Sequence, residues 1–123
     1  IDFFEVNNNK IKLIKSIRLG NPIYKPIQDK IFNRVIPMED TVIGYIDICA
    51  TNEYVYALYS DEKWGKGHCN SNTVLVFDWL GNPINIYKLT QKAYYITVDD
   101  ISGDMYTAAI NDSGEWIINS YHI

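Results

Sequence analysis

Short apolar runs of strand length separated by polar turns fill most of this chain, and VIGYIDICA, YVYALYS and VLVF read as apolar on both faces, as strands sandwiched between layers should be. The clearest unit is VLVFDWLGNPINIYKL, residues 74–89, in which an apolar run meets Leu80, Gly81, Asn82 and Pro83 before a second run rich in Ile and Tyr. Gly and Asn supply unusual turn angles and Pro83 sets the return of the chain, so this stretch predicts a β-hairpin. Before it, residues 1–6 (IDFFEV) read as a strand, 7–10 as a turn and 11–19 (IKLIKSIRL) as the partner strand. A competing register, with a turn at residues 20–23 copying Gly81, Asn82, Pro83 and Ile84, ranks second because it leaves IDFFEV without a neighbour. Residues 20–41 contain three prolines and no clean period; they predict a long excursion with one short helical turn at residues 28–34.

Strands then follow at 42–50 (VIGYIDICA) and 54–60 (YVYALYS), with a polar loop over 61–72, DEKWGKGHCNSN. After Leu89 come a linker at 90–92, a strand at 93–98, a turn at 99–103, a strand at 104–110, a tight turn at 111–114 and a last strand over 115–123. Ten Tyr, three Trp and four Phe with many Ile and Val point the same way, because branched and aromatic side chains suit a pleated surface. The expected fold class is all-β.

An internal repeat narrows that class. Ile46 matches Ile96, Ile48 matches Val98, Val55 matches Met105 and Tyr56 matches Tyr106, all at a shift of fifty residues, while Phe77 matches Tyr121 at a smaller one. Four strands per unit at this period are the mark of β-propeller blades, each a four-stranded antiparallel meander. A β-sandwich with similar hairpins is the alternative. Counting strands assigns residues 1–19 to the outer half of one blade, 42–89 to a full blade and 93–123 to a blade lacking its outer strand. The expectation is thus a partial, C-terminal propeller of about two and a quarter blades, whose natural start before Ile1 has been removed. Open blade faces of such a piece are expected to drive self-association.

Residues 43–47 (IGYID), 56–60 (YALYS), 76–83 (VFDWLGNP), 87–89 (YKL), Val98-Asp99 and Tyr106 together resemble the TolB-like six-bladed propeller proteins of Bacteroides and relatives. The resemblance spans residues 42–123, with 1–41 alike only in pattern. It implies an exported protein, periplasmic or anchored by lipid at the outer membrane of a Gram-negative bacterium. It carries no catalytic residues over to this chain.

Charge changes the picture little. Residues 1–34 carry Lys10, Lys12, Lys15, Arg18, Lys25, Lys30 and Arg34 against three acids, and the remainder is acidic. Alternation of these bases with Ile and Leu reads as a solvated strand face rather than a nucleic-acid surface, so no nucleic-acid partner is expected. No apolar run is long enough for a transmembrane helix. Cys49, Cys69, His68 and His122 are too few and too scattered for a zinc site, and no cofactor is expected.

In a meander the loops alternate between two ends. One end collects residues 20–41, 61–72 and 111–114, the other only short turns. Binding on rigid scaffolds concentrates in long loops, so the candidate binding loop is Asp61, Glu62, Trp64 and His68, with Trp64 as an aromatic anchor. Trp64 folding back over its own loop is an equal reading, and a plain surface role is the default for His68. Asp47, Asp99 and Asp100 could approach a channel and hold calcium, although turn chemistry explains them as well. Two functions follow. One is a non-catalytic module binding protein, peptide or glycan; the other is a metal-dependent hydrolase or lactonase-like propeller.

Overall fold

The computed structural model describes every residue except 21–22, 29–32 and 66–68, and the backbone alone of 28, 33 and 34. Ten strands are present among the described residues: β1 (Asp2–Asn7), β2 (Lys10–Ser16), β3 (Tyr24–Gln28), β4 (Asn33–Pro37), β5 (Val42–Ala50), β6 (Tyr54–Lys63), β7 (Ser71–Asp78), β8 (Pro83–Asp99), β9 (Asp104–Ile110) and β10 (Trp116–His122). No described residue is helical. Two hairpins, β1–β2 and β3–β4, accompany a six-stranded antiparallel sheet of order β10-β9-β8-β7-β6-β5. The all-β expectation holds, and the sheet is that of a partial propeller.

The first hairpin takes the preferred register, with Phe4 opposite Leu13 and Val6 opposite Ile11. Its turn is built on Asn8 and Asn9, both at positive φ, a region Asn tolerates better than most residues. Residues 20–41 depart from expectation. The helical turn at 28–34 is replaced at its described positions by strand, because β3 pairs with β4 from Tyr24 opposite Pro37 to Gln28 opposite Asn33; residues 29–32 lie outside the described set. Pro26 is tolerated there because each strand of a two-stranded ribbon has one edge where no amide is needed.

The linker expected at 90–92 is also strand. β8 runs unbroken over Pro83–Asp99; its first half pairs with β7 and its second with β9, with register shifts at Ser71/Thr73 and Ala93/Tyr95. Its second half nonetheless lies alongside β5. Asp47 accepts a hydrogen bond from the Ile96 amide at 2.8 Å, and Asp100 accepts from the Asn52 amide and side chain at 3.1 and 2.8 Å. The sheet therefore folds over at residues 89–92, and the two halves of β8 belong to successive layers.

Burial follows those layers. One core lies between them: Tyr56, Leu58, Val74, Val76 and Leu89 meet Ala93, Ile96 and Met105. On the other face of the first layer, Phe3 of the hairpin packs on Val55, Ala57 and Phe77, its ring edge-on to Phe77 at 6.3 Å. Burying a side chain such as Phe3 contributes about 1.5–3 kcal/mol. Strand β6 is thus covered on both faces, Val55 and Ala57 toward the hairpin and Tyr56 and Leu58 toward the second layer. In β9 only alternate residues, Met105, Thr107 and Ala109, are buried. The second layer is covered on one face.

Candidate functional site

At the long-loop end β6 extends further than the sequence predicts, so Asp61, Glu62 and Lys63 are strand residues and the loop begins at Trp64. Alternation along the strand sends neighbours to opposite sides, and Glu62 and Lys63 find different partners. Glu62 pairs with Lys92 in the bend of β8. Lys63 pairs with Asp40 at 2.5 Å. Both pairs are substantially exposed and contribute little to stability; their effect is to hold the base of the loop against residues 38–41 and the bend. Thr41, itself buried, accepts from the Met38 amide at 2.8 Å and donates through the same hydroxyl to the Ile23 carbonyl, while its own carbonyl accepts from the Trp64 amide at 2.8 Å.

Trp64 is the consequence of that bracing. Its backbone is fixed while its side chain remains 50% exposed. Asp61 is exposed on the same strand. His68 lies outside the described residues, so of the four candidates three are placed and brought to one end of the fold.

A cleft of about 350 Å³ opens where the hairpin meets the start of β5, lined by Asp2, Ile17, Arg18, Tyr24, Val42 and Tyr45 among others. Its volume falls in the range of small-molecule sites. Arg18 donates from Nε to Ser16 at 3.3 Å, and Ser16 donates to Asp2 at 2.5 Å, so the rim carries both charges in one chain of hydrogen bonds. The Tyr45 hydroxyl is buried with no partner among the described residues, and burial, followed by Tyr59 beside it, holds its pKa above the ordinary value. The rings of Tyr45 and Tyr59 meet edge to face at 5.3 Å. Nothing in the sequence marked this cleft, because its described walls come from residues 1–2, 17–20, 24 and 42–45, segments with no shared motif.

The proposed calcium carboxylates do not converge. Asp47 is engaged with the Ile96 amide, Asp100 with Asn52, and Asp99 accepts from the Ile101 amide of its own turn at 2.9 Å. Among the described residues no three His, Cys, Asp or Glu side chains gather as a metal ion requires. These acids instead organise the short-turn end. There Asp78 accepts from the amides of Leu80 and Asn82 at 2.9 and 2.8 Å and from the Asn82 side chain at 2.9 Å, which holds its carboxyl below the usual range. Trp79 donates its indole N–H to the Thr51 and Asn52 carbonyls, tying one turn to the next.

The sequence model of the family described as TolB-like 6-blade propeller-like matches residues 2–101. The match reaches back through the first hairpin, where only a similarity of pattern was expected, and stops before β9. No curated protein and no solved structure matches the chain.

Proposed function

The chain belongs to the TolB-like 6-blade propeller-like family, and we propose that it is a binding or scaffold module acting by recognition at the bacterial cell envelope, with its long-loop end as the recognition surface. The ligand class is a protein, peptide or glycan. What carries this reading is Trp64, half exposed at the end of β6 and held by its amide on Thr41. A large, rigid aromatic presented on a braced backbone is the kind of residue that dominates binding energies. The ion pairs Glu62–Lys92 and Asp40–Lys63 support it, since they spend the local charges on holding the loop rather than directing them into the cleft. An exported location, periplasmic or anchored at the outer membrane, is part of the same proposal and rests on the resemblance in residues 42–123; no helix of the described chain is long and apolar enough to cross a membrane.

The test is a screen of the chain against peptide and oligosaccharide arrays, followed by titration of each hit with the parent and with Trp64→Ala. A ligand weakened about tenfold or more by that substitution, with unchanged thermal unfolding, supports the reading. Ligands indifferent to Trp64 remove the long-loop end from consideration. Turnover of lactone or ester substrates with added calcium overturns recognition as the activity.

A further inference from the structure

The hairpin β3–β4 is a two-stranded sheet of its own, apart from the six-stranded one. Within it Pro26 stands opposite Val35, and Pro37 opposite Tyr24. A proline has no amide to give, so both pairs are of the kind whose backbone groups point outward, and each open edge of the ribbon carries a proline. Edges blunted in this way resist pairing with a further strand. An isolated hairpin is marginal in water, so what holds β3–β4 to the rest of the chain matters.

Both feet of the hairpin meet at Thr41, a buried residue. The Thr41 hydroxyl accepts from the amide of Met38, just after β4, at 2.8 Å and donates to the carbonyl of Ile23, just before β3. The Thr41 amide donates to the Met38 carbonyl at 2.9 Å. From there the backbone turns to the recognition end, because residues 39–41 run beside 63–65. The Thr41 carbonyl accepts from the Trp64 amide at 2.8 Å, Asp40 pairs with Lys63, and Glu39 lies against Gly65, where a Cβ would stand 3.7 Å from the Glu39 Cα. Hairpin and Trp64 are joined through this one residue.

We infer that the Thr41 hydroxyl is a positioning group of the recognition end: by closing the Met38–Thr41 turn and gripping Ile23, it fixes the β3–β4 hairpin and Trp64 as one unit without touching ligand. Its effect on binding rests on the recognition reading; the latch itself does not. Holding the unit in place beforehand removes ordering that binding would otherwise have to impose, which raises affinity. Valine has the shape of threonine without the hydroxyl. Thr41→Val therefore leaves the Met38 amide and the Ile23 carbonyl without their partner, while the backbone bond to Trp64 is kept.

Amide hydrogen exchange on the whole chain without ligand, read by mass spectrometry, tests the latch in the parent, Thr41→Val and Thr41→Ser. In Thr41→Val, β3, β4 and residues 38–41 are expected to exchange about tenfold faster, while β5–β9, in a separate sheet, exchange as in the parent. Thr41→Ser, which keeps the hydroxyl, should behave as the parent. A peptide or oligosaccharide that Trp64→Ala weakens should also bind Thr41→Val about tenfold more weakly, and Thr41→Ser as the parent. Unchanged exchange of β3 and β4 in Thr41→Val overturns the inference. So does acceleration spread equally over β5–β9, the mark of general destabilisation, and so does a Trp64-dependent ligand that binds Thr41→Val as tightly as the parent. Where every ligand ignores Trp64, the recognition reading fails and the exchange measurement alone decides the latch. Thr41→Ala repeats both measurements should Thr41→Val lose its strand circular dichroism.

Discussion

The carboxylate of Asp47 on β5 accepts the backbone N–H of Ile96 on β8 at 2.8 Å, across 49 residues of chain. A side chain here does what a neighbouring strand does elsewhere, satisfying an amide on the edge of the next layer's first strand. Two layers that share no backbone ladder along β5 are thereby joined.

Asp47→Ala therefore leaves the Ile96 amide without its acceptor between two packed layers. Loss of about 1–3 kcal/mol in unfolding free energy is expected, read from urea or guanidinium denaturation. Asp47→Asn keeps an acceptor oxygen and should lose less. An alanine variant as stable as the parent would mean that water takes over the bond.

Gly81 sits at φ +75°, in the left-handed region that disfavours a side chain. A Cβ at this position would lie 2.9 Å from Lys15 Cδ and 3.0 Å from Phe3 Cδ2. The lysine can swing away; the Phe3 ring, buried against Phe77, cannot. Gly81→Ala is expected to cost about 1–2 kcal/mol from backbone conformation alone, with further loss as Phe3 shifts. Near-neutral behaviour in thermal melts would show that the hairpin moves freely on the sheet.

Acid should weaken the short-turn end first. The Asp78 carboxyl is held low by hydrogen bonds from Asn82 and Leu80, Asp99 by the Ile101 amide and Ser102, and Asp104 by His122 and Ser102. A depressed carboxyl contributes stability that is present above its unfolded value of 3.8 and disappears as pH falls through the folded value. Stability should hold from neutrality down to about pH 4 and decline below it. In Asp78→Asn with Asp99→Asn that decline should flatten, as denaturation midpoints measured from pH 7 to pH 2 will register.

The two cysteines should differ in reactivity. Burial and the nearby Asp47 push the Cys49 thiol up to about 11, whereas Cys69 is exposed. Since the thiolate is the reactive form, iodoacetamide at neutral pH is expected to label Cys69 in the native chain and Cys49 only after unfolding, as mass spectrometry of timed samples will show. The raised value also means that the stability contributed by neutral Cys49 is lost as pH climbs from 9.0 through about 11. Equal labelling rates would place Cys49 at the surface.

Much of the architecture was legible one residue at a time. The short apolar runs YVYALYS and VLVF, the Gly81-Asn82-Pro83 turn and the fifty-residue repeat determined strands, hairpins and stacked layers, because a run apolar on both faces and a tight turn are local properties of the chain. The sequence also placed Asp61, Glu62 and Trp64 at the end opposite the short turns. What it did not determine depended on contacts between distant segments. Residues 24–28 and 33–37 carry prolines that break the local period, and they became strands because each supplies the other's hydrogen bonds. The polar Thr90, Gln91 and Lys92 resemble a linker, yet they continue β8 because Gln91 finds the Ile110 carbonyl and Lys92 finds Glu62. Asp47 and Asp100 could be read either for a calcium site or for turn chemistry, and tertiary packing gave them separate backbone and side-chain partners. The cleft beside Arg18 and Tyr45 came only with tertiary packing. Periodicity travels along the chain, whereas the partner of a carboxylate or the wall of a cleft is supplied across space.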